Sequence, residues 1–138
     1  EADISIAQEQ YGNAISMLEG KLSLSPGNHP LTMSLASAYD RGGYYTNADK
    51  LLSRHVRRKY NNAAIWYQLA EVQGKAGNIL GLHQSWAEYF ALNGAMKPAI
   101  EQLNLALPLA KHPVTTERIH TRIEYFQNVD RALRGMRG

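Results

Sequence analysis

Cysteine is absent from the 138 residues, which excludes disulfides, thiol nucleophiles and cysteine-bound zinc together. That absence fits a cytoplasmic or a periplasmic protein equally well. Long apolar runs are also missing. None approaches the roughly 20 residues a membrane span needs, so no span is expected. No leader peptide is visible, and the chain opens on Glu1, which reads as an internal or processed start. Neither sign of charge dominates. Fifteen Lys and Arg face twelve Asp and Glu, for a net +3, too slight to argue for nucleic acid. A hydrophobic content of 44% with 20% charged residues belongs to an ordinary folded chain, long enough to form one domain over 1–138.

The motifs of catalysis are missing as well. The five histidines, His29, His55, His83, His112 and His120, form no HExxH pair and no helical pair with a third ligand in view. There is no glycine-rich phosphate loop, nucleophile elbow or paired-carboxylate signature. No catalytic residue, metal ligand or cofactor is therefore expected in this stretch, and it reads as a non-enzyme.

What is present is a period of 34 residues. Tyr11, Ala14 and Leu18 return as Tyr45, Ala48 and Leu52; Leu35-Ala36 returns as Leu69-Ala70, and Gly43 as Gly77. This period is that of the tetratricopeptide repeat (TPR), a helix–turn–helix unit that buries its apolar face only by stacking on its neighbours. The fold expected is an all-α TPR-type solenoid of three to four repeats with a C-terminal capping helix at 114–134. The first repeat is incomplete at the N-terminus.

Apolar spacing places a first helix over 4–24 through Ile4, Ala7, Tyr11, Ile15, Leu18 and Leu22, with Tyr11-Gly12-Asn13 as an alternative turn that would split it in two. Pro30 opens a second helix to Arg41. Thr46 is the expected N-cap of a third, with Asp49 in a capping-box position. Asn62 caps a fourth over 63–76, and a fifth follows over 79–93. Pro108 should end a sixth helix, spanning 96–110, early; Thr115 or Thr116 should cap the last, which stops near Arg134 before a fraying tail. Ala99 follows Ala48 by 51 residues, one and a half periods, so the fifth helix should serve two repeats at once.

The small residues Ala36, Ala70 and Ala87, with Ala14, Ala48 and Ala99, fall where helices cross closely, and Tyr39, Trp66 and Phe90 fill the gaps between them. The outward side of the first helices should form a concave partner-binding groove. In this register it carries Met33, Ser37, Asp40 and Arg41, then Tyr67, Glu71 and Lys75, then Gln84 and Glu88, a mixed surface suited to a protein or peptide. A carboxylate clamp is not expected, because its places hold Met33, Ser37, Tyr67 and Glu71 rather than Lys and Asn. The basic run Arg54-His55-Val56-Arg57-Arg58-Lys59 suits the negative end of the third helix, and no nucleic-acid partner is inferred from it.

The stretch Leu82-His83-Gln84-Ser85-Trp86-Ala87-Glu88-Tyr89-Phe90-Ala91-Leu92-Asn93-Gly94, followed by Ala99-Ile100-Glu101-Gln102-Leu103, resembles the end of bacterial periplasmic zinc metalloproteases of the β-barrel assembly-enhancing type. In that family a C-terminal TPR domain follows an HExxH protease domain. The resemblance implies a periplasmic partner-recruiting module for outer-membrane protein quality control. It further implies β-barrel proteins, their assembly machinery and the module's own protease domain as partners, and zinc only in the protease half upstream. A stand-alone TPR adaptor in pilus, secretion or envelope assembly is the alternative.

Overall fold

Glycines one period apart set the punctuation of this chain. Gly43 and Gly77 hold φ of 84° and 78°, a left-handed conformation that costs a side-chain-bearing residue energy. At each, the helix closes in a Schellman motif: Tyr44 N–H donates to the Tyr39 carbonyl at 2.8 Å, and Asn78 N–H to the Gln73 carbonyl at 2.9 Å. Gly94, with φ of 80°, repeats the pattern half a period later, through Ala95 N–H on the Phe90 carbonyl at 2.9 Å.

The computed structural model describes residues 2–137, with side chains from Gln10 onward. It is all-α, and its described residues contain no strand. Two compact units divide between Tyr60 and Asn61. The first holds α1 (Ala2–Leu24), α2 (His29–Gly42) and α3 (Tyr45–Arg58); the second holds α4 (Ala63–Ala76), α5 (Ile79–Leu92), α6 (Met96–Ala106), a 3-10 turn (Leu107–Leu109) and α7 (Pro113–Arg137).

In the first unit α2 packs against both α1 and α3. Helix α1 is continuous, so the alternative break at Tyr11-Gly12-Asn13 does not occur; Gly12 there costs only about 1 kcal/mol of helix propensity, too little to stop a long helix. Ile4 and Ala7 lie outside the described side chains. Asn28 caps α2, its Oδ1 accepting from Leu31 N–H at 3.0 Å, and Pro30 stands in the first turn. Helix α3 corrects the expected Thr46 cap. The Schellman turn at Gly43 places Tyr44 at the N-cap with no side-chain bond, and Thr46 is already helical. Asp49 Oδ1 instead accepts from Ser53 Oγ at 2.9 Å.

In the second unit Asn62 caps α4 as expected, accepting from Ala64 and Ile65 N–H. Helix α5 packs against α4 on one side and α6 on another, which gives the double role its physical form. Pro108 converts the end of α6 into the 3-10 turn. Pro113 starts α7 rather than merely breaking the chain, because a first-turn proline loses no hydrogen bond. The helix runs on through Arg137 instead of fraying from Gly135; Gly138 lies outside the described residues.

The crossings are alanine, as the repeat requires. Ala36, Ala48, Ala70, Ala87 and Ala99 are all 0% exposed, while Ala14 is half-buried. Around Ala87 and Ala99 gather Met96, Leu103, Ala106, Ile119 and Phe126. Helix α7 supplies the last two, with Ile123 and Leu133 packed beside them, in the 3–4 residue spacing of an amphipathic face. Burying Ile119 and Phe126 stabilises this docking by about 1.5–3 kcal/mol each.

Candidate functional site

On α2, Met33, Ser37 and Asp40 are half-buried and Arg41 is exposed. They lie roughly half a helical turn away from Thr32, Leu35 and Tyr39, which are buried in the core of the unit. The α2 residues read from the sequence therefore do share one outward side.

On α4, Tyr67, Glu71 and Lys75 follow each other at four-residue steps and all are exposed. Tyr67 is 45% exposed yet not loose. Its ring stands edge-on to Trp86 at 5.1 Å and to Tyr89 at 5.5 Å, and those two rings meet each other at 5.5 Å. Edge-to-face contacts of this kind contribute about 0.5–1.5 kcal/mol beyond area burial. The result is a braced aromatic platform with an acid and a base beside it on the same helix.

Gln84 and Glu88 stand elsewhere. Helical geometry sets Glu88 about 160° around α5 from Trp86. Its carboxylate is buried and accepts two bonds from Arg122 on α7, from Nε at 2.8 Å and Nη2 at 2.7 Å. The Arg122 guanidinium in turn lies over the rings of Tyr125 and Phe126, at 4.9 and 4.7 Å. Glu88 is therefore a structural clamp holding α7 to α5, and the structure does not bring it to Tyr67. Gln84 is half-buried on the Glu88 side of α5.

Three features were not read from the sequence. Trp86 and Tyr89 join Tyr67 across the α4–α5 turn, although both were visible at helical spacing. Arg122 finds Glu88 across 34 residues, and no local pattern signals that. The third is a polar cluster in the first unit. Tyr39 Oη donates to the Glu19 carboxylate, and burial, with that carboxylate beside it, pushes the phenol up to about 12. Nearby, His29 Nδ1 and His55 Nε2 share a hydrogen bond at 2.8 Å, their rings stacked. Burial above all, then His29 and the cations Lys59 and Arg58, hold His55 below the usual histidine range. Of the basic run, Arg54, Arg57, Arg58 and Lys59 are exposed while His55 is buried.

Among the described residues no three His, Asp or Glu side chains converge as metal ligands, and no helix is long and apolar enough to cross a membrane. Alanine crossings, Schellman turns at one period and outward mixed faces define a helical-repeat protein of the kind that works by holding other proteins. Residues 5–72 match the tetratricopeptide-repeat family model, and the all-α repeat fold is of TPR type. Over 104 residues, 75% of the chain, it is 30% identical to the beta-barrel assembly-enhancing proteases of Escherichia coli strain K12 and of Shigella flexneri. The chain spans about a fifth of the length of these relatives, 21%.

Proposed function

We propose that this TPR chain is the partner-recruiting part of a periplasmic zinc metalloprotease of the beta-barrel assembly-enhancing type, serving quality control of outer-membrane proteins. The 30% match over 104 residues supports this reading. In such a protein the zinc belongs to the protease half.

The observation that carries the reading is the exposed Tyr67, braced by Trp86 and Tyr89. An aromatic side chain already fixed in place loses little entropy when a partner covers it, which is what binding anchors share. Glu71 and Lys75 beside it supply polar complementarity. Met33, Ser37, Asp40 and Arg41 form the contact side of α2, and Gln84 that of α5, while Glu88 acts through its hold on Arg122.

The test is binding of the purified chain to an unfolded outer-membrane β-barrel protein held in detergent. Tyr67→Ala should weaken it by about 2 kcal/mol, roughly 30-fold, and Arg41→Ala should weaken it less, with melting temperature recorded for both. Unchanged affinity in folded Tyr67→Ala overturns the assignment of this face.

A further inference from the structure

The first unit contains an open cavity of about 550 Å³ lined by α1, α2, α3 and the loop between α1 and α2, a size suited to a bound side chain cluster or short segment. Its floor is apolar, with Leu35 and Leu51 buried and Leu22 half-buried. Its rim is cationic. Lys50, Arg54 and Arg58 line it from α3, at steps of four residues that put them in one stripe. None of the three makes an ion pair with a described residue. The one acid in the lining, Glu19, is exposed and accepts a hydrogen bond from the Tyr39 hydroxyl. The Arg58 guanidinium lies against Gly27, where a Cβ would collide with its Nη1.

We propose that this pocket is a second binding site, one that takes an extended acidic peptide segment of a partner protein, with carboxylates at alternate positions. Spacing and charge both favour it. Four residues of helix rise about 6 Å, and alternate residues of an extended chain stand about 6.6 Å apart on one side. Successive carboxylates of an Asp-x-Asp-x-Asp segment therefore meet Lys50, Arg54 and Arg58 in register. The two arginines suit two-pronged carboxylate recognition. Intervening apolar side chains turn toward the leucine floor. Single-stranded nucleic acid, the rival polyanion, needs aromatic faces for its bases, and the two rings in the lining, those of Tyr39 and His55, are both buried. The site lies wholly within the first unit and does not use the Tyr67 platform.

The experiment is fluorescence anisotropy of the intact chain with labelled Asp-Ser-Asp-Leu-Asp-Ser-Asp, its Asn-for-Asp counterpart, and a single-stranded oligonucleotide of equal charge. The aspartate peptide should bind, and should weaken as salt rises from about 50 to about 300 mM. The asparagine peptide, and the charge reversals Arg54→Glu and Lys50→Glu, should each weaken binding about tenfold or more. Both positions are exposed, so these variants should keep their fold within about 0.5 kcal/mol. Tyr67→Ala should leave peptide binding unchanged, so that this proposal and the function proposed above fail separately. Equal binding by wild type and Arg54→Glu, or tighter binding of the oligonucleotide than of the peptide, overturns the proposal.

Discussion

Helices α3 and α5 are one period apart and occupy the same place in the repeat, yet they carry different chemistry on the same stripe. Lys50, Arg54 and Arg58 of α3 correspond, 34 residues later, to Gln84, Glu88 and Leu92 of α5. On α3 the stripe is a cationic rim over a cavity, with no ion pair among the described residues. On α5 its central member is buried against Arg122. The flanking architecture hardly differs: Leu35-Ala36 and Leu69-Ala70 are equally buried, and Gly43 and Gly77 make the same turn. Close helix crossings tolerate little volume change, so they preserve residue type. The stripes face away from those crossings, so each unit is free to use its own for binding or for docking another helix.

The sharpest way to break that contrast is to remove what α5 has and α3 lacks, a helix clamped onto its unit. Phe126 is 1% exposed in the cluster that seats α7. Phe126→Ala should cost about 3–5 kcal/mol, read as a fall in thermal stability and as early hydrogen exchange in α7. If α7 stays protected in that variant, its apolar face is not what holds it.

The clamp itself should matter less. Glu88→Gln leaves Arg122 facing a neutral amide, and because the arginine keeps 32% of its side-chain surface in water, the loss should be about 1–2 kcal/mol rather than that of a fully buried pair. A double-mutant cycle with Arg122→Met isolates the pair. At the matching position of α3, Arg54→Gln should change stability by no more than about 0.5 kcal/mol. Equal effects at 88 and 54 would erase the distinction drawn between the two stripes.

Much of the fold could be read from residue order because it rests on local rules. Period, alanine crossings, the Asn62 cap and the Pro108 terminator depend on neighbours within a turn or two. Errors came where one local signal outranked another. Thr46 has the chemistry of a cap, but the Schellman turn at Gly43 sets the N-cap two residues earlier, at Tyr44. Of the candidate face, Tyr67, Glu71 and Lys75 were visible as a stripe, whereas the bracing of Tyr67 and the removal of Glu88 into an ion pair were not. Those depend on which helix covers which, and α7 carries no repeat signature to reveal its docking site.

Acid should separate the two units by the smallest effect of the three. His55 sits one period before Tyr89, so only the first unit has a buried histidine at that place. Its folded pKa is lowered, by burial first and then by His29, Lys59 and Arg58. The unfolded chain therefore binds a proton that the folded chain refuses, and stability must rise with pH across that interval. The contribution is complete above the ordinary histidine pKa and is lost as pH falls from there through the folded value. A second proton also ends the His29–His55 hydrogen bond, which needs one ring nitrogen as acceptor. Both tryptophans, Trp66 and Trp86, belong to the second unit, so their fluorescence reports that unit while circular dichroism reports the whole chain. Between about pH 7.5 and about pH 5.5 the dichroism melt should move to lower temperature more than the fluorescence melt. His55→Gln should shrink the difference, and two melts that shift together in both proteins would mean that the histidine pair does not distinguish the units.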